Sequence, residues 1–177
     1  MIDDQLSVLL AEPDEDERWV KLRQYVSEHT SAARVVGERA LTSEDPRTRE
    51  LAAGILGSVA SVDRRTAAGI ATLLIPRLAV ERDADVLDSV IVALGHAGDA
   101  RARARVLELA DHPDENVRFA VAFALPNLGL EDDESLAVLR QLSADTDEDV
   151  RVWATAALAE NEAGDDDIPA LLAALDK

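Results

Sequence analysis

Five times along the chain an Asp is followed, four residues on, by a position that is Arg in four of the five cases. The pairs are Asp14 and Arg18, Asp45 and Arg49, Asp83 and Leu87, Asp114 and Arg118, and Asp147 and Arg151. From Arg18 to Arg49, Leu87, Arg118 and Arg151 the chain steps 31, 38, 31 and 33 residues. Self-similarity at about 30 to 40 residues marks a solenoid, in which each unit buries its apolar face only against its neighbours.

Each Asp reads as a helix N-cap, its carboxylate accepting from the free amides of the first turn. Pro46 falls at the first helical position, where a missing N–H costs nothing, and acids such as Asp85, Glu115, Glu148 and Asp149 complement the helix dipole. Beyond the cap, apolar or small residues recur at −1, +3, +6 and +7 from the Arg position. They are Thr48, Ala52, Ile55 and Leu56; Val86, Val90, Ala93 and Leu94; Val117, Val121, Ala124 and Leu125; and Val150, Ala154, Ala157 and Leu158. Steps of three and four put each set on one helix face. Gly57, Gly98, Gly129 and Gly164 are expected to end these helices.

A partner helix is expected before each of them, over residues 31–41, 63–80, 99–110 and 132–143. Pro76 should kink the second near its C-terminal end, and the extra length of that helix explains the 38-residue step. No segment alternates with period two, so the chain is predicted all-α, an α-solenoid of stacked antiparallel helix pairs forming one domain over 1–177. Within it, 1–30 is expected to be an N-terminal cap, 31–161 four helical repeats, and 165–177 a C-terminal capping helix. The cap unit repeats the spacing with a rotated apolar face of Trp19, Leu22, Val26 and Val20.

With 47% hydrophobic residues, the chain carries enough apolar surface to fold, and its 3% aromatics leave the packing to Ala, Leu and Val. The net charge of −18 repels phosphate backbones, which argues against nucleic acid and for protein or peptide partners with basic residues. No cysteine is present for a thiolate metal site or a disulfide. An acidic opening that lacks a basic flank before an apolar run, and no apolar stretch of membrane-spanning length, predict a cytoplasmic protein with no membrane partner, and a monomer is expected.

The D-x-x-V-R motif followed by an Ala-rich stretch and Leu-Gly, clearest in DPRTRELAAGILG, PDENVRFAVAFALPNLG and DEDVRVWATAALA, resembles the short bacterial HEAT repeats, including the phycobilin-lyase-like type. The resemblance implies a right-handed superhelix whose second helices line a concave face. It also implies a protein-binding scaffold, although some members bind DNA or act on tetrapyrroles.

An Arg in the first helical turn opposes the dipole and needs a nearby carboxylate. The expected structural ladder joins Arg49, Arg118 and Arg151 to the cap Asp residues Asp45, Asp114 and Asp147 of adjacent repeats, with apolar packing at Leu87. Phe119 and Phe123, at +1 and +5, lie off the core stripe. With Val92 and Trp153 beside them and Glu50 and Asp88 around them, they form the candidate binding patch on the concave face.

The remaining polar clusters read as structure. Asp145, Asp147 and Asp149 lack the Gly and Glu of a calcium loop, and Asp165, Asp166 and Asp167 read as a cap. His29, His96 and His112 have no second His at ligand spacing, and Arg101, Arg103 and Arg105 read as a solvated face paired with local acids. No catalytic motif, metal set or cofactor signature is found, so a non-catalytic module is expected. The alternatives are an immunity-type inhibitor neutralising a basic toxin or enzyme, and a chromophore lyase-like assembly factor.

Overall fold

A computed structural model describes the backbone over residues 4–130 and 133–175, and side chains over 6–130 and 133–161. The described elements are all helical: α1 (Asp4–Ala11), α2 (Glu15–Ala40), α3 (Pro46–Val62), α4 (Ala67–Leu74), α5 (Arg77–Val80), α6 (Ala84–Ala97), α7 (Arg103–Leu107), α8 (Glu115–Leu128), α9 (Asp133–Leu142) and α10 (Glu148–Leu175). α3, α6, α8 and α10 are the second helices of the repeats. They stack in chain order, with α2 ahead of α3, and each packs chiefly on the next. The shorter first helices cover one side of that row and leave the other side open.

The caps form as the spacing predicts. Asp14, Asp45, Asp83, Asp114 and Asp147 accept from the amides of Glu17, Thr48, Val86, Asn116 and Val150 at 2.9–3.2 Å. α2 runs through the cap unit and into the first repeat. His29 (φ −136°, ψ 39°) leaves helical geometry and kinks the helix where the two meet. The segment 63–80 is split into α4 and α5 beside Pro76, because proline supplies no amide to the ladder.

Two of the expected glycine stops hold and two do not. Gly98 (φ 63°) and Gly129 (φ 103°) take the left-handed backbone that an L side chain resists and end α6 and α8. Gly57 instead lies buried inside α3, where an added Cβ would stand 2.8 Å from the Cα of Ala93 on α6. It is a close-approach residue. Gly164 also lies within a helix, since α10 continues unbroken to Leu175. The side chains of 162–177, and with them the expected capping contacts of 165–177, lie outside the described residues.

The stripe at −1, +3, +6 and +7 is buried in every repeat, apart from a half-buried Leu158. The buried surface is wider than periodicity suggests. In α3, α6 and α8 the +2 and +4 positions are buried too: Leu51 and Ala53, Ser89 and Ile91, Ala120 and Ala122. In α10 the same positions, Trp153 and Thr155, are exposed.

Candidate functional site

The open side of the helix row forms a groove of about 930 Å³ that runs across α2, α3, α6 and α8. Its floor repeats along the solenoid. The +1 positions present Trp19, Glu50, Asp88 and Phe119 in order, and the +5 positions present Arg23, Gly54 and Val92. Trp19 lies so closely on Gly54 that a Cβ there would overlap the indole, so a residue without a side chain makes room for the ring. Among the sequence-predicted site residues, Glu50, Asp88, Val92 and Phe119 line one groove.

Phe123 and Trp153 adjoin it through an edge-to-face cluster. The Trp153 ring lies 5.5 Å from both Phe119 and Phe123, and Phe123 lies 5.4 Å from His96. Such T-shaped pairs are the favoured aromatic geometry. Phe119 and Phe123 are half-buried and Trp153 is 44% exposed. The cluster therefore both packs α6, α8 and α10 together and offers aromatic surface beside the groove.

Between the Trp19 end and the Phe119 end lie two carboxyls with no hydrogen-bond or ion-pair partner among the described residues, Glu50 and Asp88. Burial pushes the Asp88 carboxyl up to about 7, with Asp85 and Glu50 adding to the shift. Burial raises Glu50 as well, although Arg18 pulls it back. Next to Asp88, Ser89 is only 6% exposed and also lines the groove, and its hydroxyl has no partner among the described residues.

The expected Asp–Arg ladder exists with different carboxylates. Arg49 donates from Nε and Nη2 to both oxygens of Glu81 at 2.8 and 2.9 Å, and Arg118 does the same to Asp145 at 2.8 Å in both bonds. Glu81 and Asp145 stand two residues before the next cap Asp, not at it. The caps Asp45, Asp114 and Asp147 are already committed to their own helix amides. Each ladder Arg also donates Nη1 to two carbonyls of its own preceding turn. These are Ser43 and Glu44 for Arg49, His112 and Pro113 for Arg118, and Asp145 and Thr146 for Arg151.

The position two before the cap has a second task in all five units. Glu12, Ser43, Glu81, His112 and Asp145 each accept from the backbone N–H of the cap Asp. Sequence reasoning missed this role, yet the signal was present: only polar acceptors occupy those five positions. Leu87 is buried at 4% exposure, as expected, and the position that would have paired with an Arg there is His112.

Burial works against the charge on Glu81, but Arg49 and the amides of Arg82 and Asp83 outweigh it and hold the carboxyl at about 2. Arg118 holds Asp145 at about 2 in the same way. On the outer face, Arg101 pairs with Asp99 and Arg105 with Glu108. Among the described residues no group of three or more His, Asp or Glu side chains could hold a metal ion, and no helix is long and apolar enough to cross a membrane.

Stacked antiparallel helix pairs with capped second helices and a guanidinium–carboxylate clasp between repeats define an α-solenoid. The HEAT-repeat family model matches residues 70–159, half of the chain, and the chain belongs to that family. Among solved structures it is similar to YibA of Escherichia coli, with a TM-score of 0.72 and 22% identity over 95% of this chain and 62% of that one. It also resembles an engineered protein (TM-score 0.59, 22% identity, 89% of this chain and 78% of that one). A third likeness is to an archaeal HEAT-like repeats protein from Thermococcus onnurineus NA1 (TM-score 0.54, 17% identity, 85% and 61%). At these identities the likeness establishes the fold, and the chain spans less than two thirds of YibA. No curated protein matches the chain.

Proposed function

We propose that the chain is a non-catalytic protein-binding module whose concave groove takes a segment of a partner protein, with the acids of the groove favouring a basic segment. The supporting observation is the groove itself, in which aromatic walls at Trp19 and Phe119 enclose two half-buried carboxyls without partners. Aromatic anchors in partly desolvated pockets dominate binding energies, and complementary charge steers and selects the partner. HEAT repeats commonly mediate protein interactions, which agrees with this reading.

The test replaces Phe119 and Phe123 together by Ser and measures both urea unfolding and capture of partner from the native host. Capture lost with the fold intact supports the groove. Capture retained by the folded variant would sink the reading, and a loss of several kcal/mol, the scale of emptied core sites, would assign both rings to packing alone. The net charge of −18 suits a second reading, an inhibitor that covers the basic surface of a toxin or enzyme. A toxin gene beside this one, and protection by the protein in co-expression, would favour it.

A further inference from the structure

The groove floor poses a chemical problem that the fold does not solve. Glu50 on α3 and Asp88 on α6 occupy the same +1 position in adjacent repeats, so they stand next to each other across the helix row. Both are half-buried and neither accepts a hydrogen bond among the described residues. Two carboxyls in that state cost free energy as anions unless water, a proton or a cation satisfies them. The chain has arginines at hand and does not use them. The Nε of Arg18 donates to the Glu12 carbonyl at 3.4 Å, and neither Arg18 nor Arg47 pairs with Glu50 or Asp88.

Ser89, only 6% exposed as a residue, lines the same groove, and its hydroxyl is a second polar group there without a hydrogen-bond partner among the described residues. It is a neutral acceptor, distinct from the acid pair. Phe119 holds the next +1 position after Asp88, so an aromatic ring adjoins the acids on that side. Two carboxylates, a hydroxyl acceptor and a flanking ring match a planar fork of N–H donors with a polarisable face, which describes guanidinium better than ammonium.

We propose that the groove seats an arginine side chain presented by the partner segment, its guanidinium held between Glu50 and Asp88, with Ser89 as a further acceptor and Phe119 along its face. This rests on the concave-groove reading and names the chemistry of its occupant. The repeats themselves use the same recognition, since Arg49 and Arg118 are each gripped by a carboxylate of the neighbouring unit.

Seating the cation draws the proton off Asp88, so binding is linked to pH. The charged and titratable groups around Asp88 are Glu15, Arg18 and Arg23 from α2, the cap Asp45 with Arg47 and Glu50 of α3, the cap Asp83 with Asp85 and His96 of α6, and the cap Asp114 of α8. Arg18, Arg23 and Arg47 are the cations among them at neutral pH. The acids outnumber them, so an incoming guanidinium meets a negative field.

The experiment uses the full chain and end-blocked peptides carrying one Arg between two Leu, with the same peptides bearing citrulline or Lys instead. Binding is read from tryptophan fluorescence and from the Asp88 carboxyl carbon resonance. The Arg peptide is expected to bind about tenfold or more tighter than its neutral citrulline isostere, the scale of a charge-assisted bidentate contact. Asp88→Asn and Glu50→Gln should each remove most of that preference while melting stays cooperative. The affinity of the unmodified protein should rise from about pH 6 to about pH 8, and that of Asp88→Asn should stay flat.

Equal binding of the Arg and citrulline peptides, still abolished by the double Phe variant, would overturn the arginine seat and leave the protein-binding groove standing. Equal binding of the Lys peptide would overturn the guanidinium assignment. An Asp88 resonance unmoved by millimolar Arg peptide would also overturn the seat, whatever the capture experiment returns for the groove.

Discussion

Two kinds of junction join the repeats. At α3 to α6 and at α8 to α10, a guanidinium crosses to a carboxylate of the next unit: Arg49 to Glu81 and Arg118 to Asp145. At α6 to α8, Leu87 lies in the core and His112 stands where the acid would be. Cation and anion are absent together. A buried charge without its partner costs several kcal/mol, whereas an apolar residue in the same place costs nothing of that kind. At these three junctions the two residues of the clasp, about 30 apart, occur together or not at all, whereas at α2 to α3 Ser43 holds the acid's place and Arg18 donates to the Glu12 carbonyl instead. The cap Asp, present at all five positions, serves its own helix.

Breaking the clasp gives the largest effect. Arg49→Ala should cost about 3 kcal/mol in urea unfolding, because Glu81, with its side chain 4% exposed, loses its main counter-charge. Arg118→Ala should approach that cost, and Arg101→Ala should stay within about 0.5 kcal/mol, since its pair with Asp99 is solvated. Equal midpoints for Arg118→Ala and Arg101→Ala would remove the case for the ladder.

The same two carboxylates predict an acid limb. Glu81 and Asp145 both titrate near 2 in the folded protein, below their ordinary 4.5 and 3.8. Depressed folded values mean that this stabilisation is complete above those ordinary values and is lost as pH falls from about 4.5 towards about 2. Unfolding free energy should drop through that window, and the drop should be shallower in the Arg49→Ala, Arg118→Ala double variant. Parallel pH curves would contradict the assignment.

Helix approach should matter at the unclasped junction as well as the clasped one. Gly57 faces Ala93 across α3 and α6, and Gly95 faces Ala124 across α6 and α8. A Cβ added to these glycines would stand 2.8 and 3.0 Å from the opposing Cα. Gly57→Ala should cost about 2 kcal/mol by forcing the two helices apart. Gly69→Ala, on the open side of α4, should stabilise by up to about 1 kcal/mol through helix propensity alone. Similar melting temperatures for the two variants would sink the close-packing account.

The smallest and sharpest test rebuilds the missing clasp. Leu87→Arg alone should destabilise, because it places a cation in the core opposite His112. Adding His112→Asp should recover part of the loss, with a coupling of about 1 to 2 kcal/mol in the double-mutant cycle. Additive effects would mean that the two positions do not meet across that junction.

Much of this was legible in one dimension. The five caps, the buried stripe and the disruption at Pro76 follow from rules that act within a few residues: a side-chain oxygen meeting its own first-turn amides, a 3.6-residue period, a missing N–H. So did the grouping of Glu50, Asp88, Val92 and Phe119, because equal offsets in stacked repeats must share a face. The role of Gly57 is not legible there, because a glycine that ends a helix and one that lets a second helix approach look alike until the neighbour is placed. The partners of Arg49 and Arg118 are hidden for a similar reason. Two acids two residues apart are equivalent in sequence, and only the position of the next repeat decides which one the guanidinium reaches.

The sequence by itself therefore determined the helices, their order and the repeat that stacks them, since these rest on local hydrogen bonding and periodic burial. Tertiary structure alone decided which carboxylates close the ladder and which stay open in the groove. That division is set by distances between units, about 30 residues apart along the chain and one helix diameter apart in space.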